Sequence, residues 1–106
     1  MFTMGLKKQR RLELDSILKS ICPNVYYQPP SSTKMKYPAI RYRRSNIDTV
    51  HADNSPYIQT VRYELIVIDR NPDSEIVEAL SQLPKCSHAR HYTVENLNHD
   101  VFYISY

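Results

Sequence analysis

An α+β fold, with a mostly antiparallel β-sheet packed against two α-helices in the order α-β-β-β-α-β-β, is what the 106-residue sequence predicts. Three observations lead there. Apolar residues recur at helical spacing in two short stretches only. Five other stretches are strand-like runs, most of them alternating with a two-residue period. Clusters of Pro, Asn and Ser separate the runs.

Leu14, Ile17, Leu18 and Ile21 fall at i, i+3, i+4 and i+7, the stripe of a first helix that Pro23 and Asn24 end near Cys22. Lys7, Lys8, Arg10 and Arg11 put cations in its opening turns, where the helix dipole disfavours them. Pairs of Arg10 with Glu13 and Arg11 with Asp15 are expected to offset part of that cost. Val25, Tyr26 and Tyr27 make a short strand, closed by Pro29, Pro30, Ser31 and Ser32, and a loop runs on through Lys36.

Pro38 to Arg44 alternates, with Ile40 and Tyr42 on one face and Arg41 and Arg43 on the other, as in a half-buried strand with a basic outer face. The polar stretch 45–57 reads as a long loop or a projecting hairpin arm. Ile58 to Asp69 is the strongest strand. Val61, Tyr63, Leu65 and Val67 share one face, and Ile66 and Ile68 make its second half apolar on both, which predicts a central position. Asn71 and Pro72 are expected to cap and start the second helix, Ile76, Val77, Leu80 and Leu83 to bury it, and Pro84 to end it. His88 to Val94 and Asp100 to Tyr106 then form a C-terminal hairpin joined through residues 95–99.

The size fits a single domain over residues 1–106. Nine tyrosines against two phenylalanines and no tryptophan predict a small core that gains from partners. A single glycine, Gly5, excludes the glycine-dependent phosphate loops and dinucleotide folds. Cys22 and Cys86 are expected to be reduced thiols, too few for a disulfide framework. There is no apolar run long enough to span a bilayer and Met1 to Leu6 is short for a signal peptide, so a soluble, untargeted product is expected, with no membrane partner.

Chemistry-bearing constellations are sparse. Cys86, His88, His91, His99 and Asp100 carry zinc-type ligands, but His88 and His91, three apart on a strand, are expected to face opposite ways and to leave no closed metal site. The sequence has no glycine-lined nucleophile elbow, and Asp69, Asp73 and Glu75 read as dipole-matched acids at a helix start. No catalytic residue, cofactor or metal is expected, and the chain is read as a non-enzyme. Arg41, Arg43 and Arg44 near Tyr37 and Tyr42, together with the first-helix cations, suggest a basic nucleic-acid-binding module as one alternative. The net charge of +3 is small for that role.

Three stretches carry a family resemblance: Tyr37-Pro38-Ala39-Ile40; the run from Arg62 through Ile68-Asp69-Arg70-Asn71-Pro72-Asp73 to Ser74; and the run from Arg90-His91-Tyr92-Thr93 through Asn96-Leu97-Asn98 to Phe102. Together with the element order, they resemble the tail terminator proteins of long-tailed bacteriophages, also called tail completion or tail-to-head joining proteins. The resemblance implies an α+β sandwich assembling as a homo-oligomeric ring, commonly a hexamer, on the head-proximal end of the tail tube. Such a ring stops tube polymerisation and offers a surface to the head-completion or connector protein, while DNA passes through its lumen without sequence recognition. It also implies a virion location, in the neck of a tail assembled in the host bacterial cytoplasm. A head-completion or neck adaptor is a close alternative.

Site residues follow from pattern rather than from the family. Asp48, His51, Asp53 and Asn54 on the 45–57 stretch, with Arg41, Arg43 and Arg44 beside it, are the expected interface residues. If Arg41 and Arg43 pair with acids of the adjacent strand such as Glu64, their role is structural. Ring contacts are expected to be apolar and Tyr-rich, to involve edge strands, and to depend little on salt.

Overall fold

The computed structural model describes residues 2–50 and 58–106, with side chains described over 8–47 and 60–106. The elements are α1 (Phe2–Ile21), β1 (Val25–Tyr27), β2 (Ala39–Val50), β3 (Ile58–Asp69), α2 (Glu75–Ser81), β4 (Cys86–Val94) and β5 (Leu97–Ser105). The expected order α-β-β-β-α-β-β is the one observed. Their five strands lie in the order β1-β2-β3-β5-β4, so β3 is central, as its doubly apolar second half requires.

All pairings are antiparallel except β1 with β2. The parallel pair arises because residues 28–38 cross over before the chain re-enters beside β1. Gln28 N donates to Tyr42 O, Ile40 N to Asn24 O and Asn24 Nδ2 to Pro38 O, which closes both ends of the short ladder.

Both helices lie on one face of the sheet. Leu14, Leu18 and Cys22 of α1 and its C-terminal flank, with Ile76 and Leu80 of α2, pack onto Ile40, Tyr42, Val61, Tyr63, Leu65, Val67, Phe102 and Ile104. The i, i+4 pairs within this set are the helical stripes expected from sequence, and burying them supplies the main driving force for docking the helices. Among the described residues no helix lies on the opposite face. A smaller cluster of Ile66, Ile68 and Val101 is covered there by Met35, Tyr92, Leu97 and Tyr103.

Three local expectations are corrected. The second helix begins at Glu75 with Ser74 as its cap, whose hydroxyl accepts from Ile76 N. Asn71 instead turns the chain upstream: its N–H donates to Asp69 Oδ1 and its Oδ1 accepts from Asp73 N, so the Asn71-Pro72 pair is spent on an Asx turn. The C-terminal hairpin turns on Glu95 and Asn96 alone, both with positive φ (52° and 65°), and residues 97–99 belong to β5. The helix-start ion pairs differ as well. Arg10 donates to Tyr106 O and lies over the Tyr106 ring, while Asp15 pairs with Lys19 at 2.8 Å.

Residues 45–50 continue β2 as strand. The β2–β3 ladder runs to Val50 opposite Ile58, while β5 flanks β3 only over Arg62–Asp69 and β1 flanks β2 only over Ile40–Tyr42. A bulge between Arg44 and Asn46 marks where the pair leaves its neighbours. Beyond it stands a two-stranded ribbon.

Candidate interaction surface

Alternation along β2 and β3 places Arg41 and Arg43, then Arg62 and Glu64, on the face away from the helices, because Tyr42, Val61, Tyr63 and Leu65 take the core side. Glu64 is the centre of this surface and only 8% exposed. Its Oε1 accepts from Arg43 Nε at 3.0 Å and its Oε2 from Tyr103 Oη at 3.0 Å. The Arg43 hydrogen bond holds the Glu64 carboxyl below the usual range against its burial, helped by Tyr103 and by the charge of Arg90.

Two further guanidinium groups lie on tyrosine rings. Arg62 sits 4.4 Å from the centroid of Tyr103, and Arg90 sits 5.7 Å from that of Tyr92, which also stacks on His99 at 4.8 Å. Each ring therefore has a guanidinium over one face, and both remain partly exposed. Arg41 is exposed, and its side chain makes no hydrogen bond or ion pair among the described residues. It shares a register row with Ile66, Val101 and Arg90, which sets Arg41 and Arg90 about 14 Å apart across three strand spacings. Between β2 and the loop after β1, an open cleft of about 330 Å³ is lined by Gln28, Pro29, Arg41, Arg43, Arg44 and Glu64 among others.

Of the expected interface residues, Arg41 and Arg43 share this face, and Arg43 takes the structural pairing with Glu64. Arg44 lies opposite Tyr63 and alternates onto the helix-bearing side. Asp48 is placed only by its backbone, opposite Thr60 on the ribbon. His51, Asp53 and Asn54 lie outside the described residues. Sequence reasoning missed Arg62 and Arg90 as members of the patch. For Arg62 the signal was present, since it shares the parity of Glu64. Arg90 was hidden by a β4 bulge between His88 and Arg90 that shifts the alternation.

That bulge also corrects the histidine geometry. His88 and His91 reach the same side, where His88 meets Asp100 at 3.1 Å and His91 meets Asn98 at 3.3 Å. Among the described residues no three His, Cys, Asp or Glu side chains converge as a metal site. Burial raises both thiols above their ordinary range, Cys86 to about 11, which leaves little thiolate at neutral pH. No helix among the described residues is long and apolar enough to cross a membrane.

Among the described residues the exposed large apolar side chains, Leu12, Tyr37 and Val94, are scattered over α1, the loop before β2 and β4. Charge, not apolar area, is what this surface offers. No protein-family model, curated protein or solved structure matches the chain.

Proposed function

We propose that this chain is a structural assembly protein that closes into a ring on the head-proximal end of a bacteriophage tail tube, ending tube growth and joining the tail to the filled head. The resemblance of its three sequence stretches to tail terminators motivates the reading. The observation that carries it is the ribbon: β2 and β3 pair through Val50 and Ile58, past the reach of both flanking strands. An isolated two-stranded ribbon is marginal in water, and it gains stability when a neighbour covers it. A ring function needs no catalytic group, only two mutually complementary surfaces on each subunit and a rotation that closes.

The surface changes how such a ring is held. One sheet edge, β1, has three residues, and the other, β4, carries a bulge and Arg90, features that discourage strand pairing. Contacts through faces and through the ribbon are favoured over contacts through edges. Charged contacts also weaken with salt, so salt dependence alone does not separate this reading from nucleic-acid binding.

Native mass spectrometry, alone and with a tail tube protein, gives a closed oligomer in at least one sample if the reading holds. A persistent monomer that binds single-stranded DNA points instead to the basic module. Tyr42 is buried and the rings of Tyr92 and Tyr103 each carry a guanidinium, which weighs against that alternative because base stacking needs a free aromatic face; of the two tyrosines expected to serve it, Tyr37 is exposed.

A further inference from the structure

Resting on the ring reading, the geometry points to the identity of one subunit contact. We propose that the arginine face of the sheet docks onto the acidic end of α2 in a second copy of this chain. Among the residues whose side chains are described, Arg41, Arg43, Arg62 and Arg90 on the sheet face stand against the carboxylate of Glu64, an excess of three positive charges, while Asp48 is placed by its backbone farther out on the ribbon. Across residues 69–78, Asp69, Asp73, Glu75 and Glu78 stand against Arg70 alone, a local excess of three negative charges. The two patches match in magnitude and oppose in sign.

Their placement decides the kind of contact. α2 packs on the helix-bearing face through Ile76 and Leu80, whereas the arginines alternate away from it. Asp73, Glu75 and Glu78 are exposed on that helix-bearing side. Because the two patches lie on opposite sides of the sheet, no single two-fold interface can hold both, and a two-fold contact through either one sets like charges against each other. A head-to-tail contact brings basic onto acidic and leaves one patch of each sign free for the next subunit, which is what a ring requires.

The arginines are also set for carboxylates. Arg62 and Arg90 rest on tyrosine rings, which restrict the guanidinium planes and reduce the entropy lost on binding, while their N–H edges are left to fork a carboxylate. The Arg41 side chain makes no hydrogen bond or ion pair among the described residues, so it can be recruited without breaking an existing pairing.

The test is a pair of charge reversals read by sedimentation velocity and native mass spectrometry, alone and with a tail tube protein. One variant is Arg41→Glu with Arg90→Glu; the other is Glu75→Lys with Glu78→Lys. Circular dichroism checks that each folds, and Glu75→Gln with Glu78→Gln repeats the second without placing cations at a helix start. Each reversal is expected to weaken self-association on the order of tenfold or more. Mixing the two reversed proteins restores it as an alternating oligomer, because every contact then joins opposite charges again. Native-like assembly of either reversed variant, or a mixture that stays dissociated, overturns this contact while leaving the ring reading intact. A native protein that never associates overturns both. Binding of single-stranded DNA that is lost only in the arginine variant, with no self-association, assigns the face to nucleic acid instead.

Discussion

The phenolic hydroxyl of Tyr42 donates to Asp15 Oδ1 over 2.7 Å, tying the middle of α1 to β2 across the core boundary. Arg11 completes the knot, donating to Tyr42 Oη at 3.4 Å and lying 4.2 Å from the Tyr27 centroid. Tyr42 is 1% exposed, so its hydroxyl has no ready access to water. Tyr42→Phe keeps the ring packing against Tyr27 and Tyr63 and removes only the hydrogen bonds. It should cost about 1–2 kcal/mol, seen as a lower urea midpoint at unchanged slope. An unchanged midpoint would show that the hydroxyl is dispensable.

Glu64 predicts an acid-sensitive component of stability. Its folded carboxyl lies below the ordinary glutamate value of about 4.3, through Arg43 first and Tyr103 second. A depressed carboxyl contributes stability that is fully present above the unfolded value and is lost as pH falls through the folded one. Asp15 acts in the same direction: burial pushes its carboxyl up, but the hydrogen bonds from Lys19 and Tyr42 together with the charges of Lys19 and Arg11 bring it below the ordinary value. Glu64→Gln should lower stability at pH 7 on the order of 1 kcal/mol and flatten the decline below about pH 4. Thermal unfolding from pH 7 to pH 2 measures both, and parallel curves for the two proteins would rule the mechanism out.

Glu95 occupies a left-handed conformation at the β4–β5 turn with φ of 52°. A side chain at Cβ is strained there, and Asn tolerates the region better than Glu. Glu95→Asn should raise stability by about 0.5 kcal/mol, because Asn suits both central positions of a two-residue hairpin turn. Denaturant titration detects a change of this size, and destabilisation would mean that the Glu95 side chain contributes a contact of its own.

Cys86 is half-buried with its thiol pushed up to about 11, and Cys22 is buried beside Asn24 O and Pro38 O. Iodoacetamide at pH 7.5 should modify both at least tenfold more slowly than free cysteine, with the difference vanishing in denaturant. Rapid labelling of the folded protein would show that the α1 terminus or the β4 start opens readily.

β3 was legible end to end, because alternation over residues 61–65 that runs into the apolar stretch 65–68 admits one assignment, and Ile58–Asp69 is what is observed. The start of α2 was not. Asn71-Pro72 and Ser74 are both acceptable helix starts by local chemistry, and the Asx turn from Asp69 to Asp73 settles the choice in favour of Ser74. Arg41 and Arg43 were correctly set outward, yet their different fates depended on which side chains of β3, β5 and β4 came alongside.

By itself the sequence determined the order of elements, the buried stripe of each helix and the outward face of β2, since these depend on periodicities within a single segment. Tertiary structure decided the parallel pairing of β1, the reach of the β2–β3 ribbon, the clasp of Arg43 and Tyr103 on Glu64, and the bulge that turns Arg90 onto the arginine face. Each of those depends on register between strands far apart in the chain. A one-residue slip or bulge exchanges the two faces of a strand while leaving its local pattern unaltered.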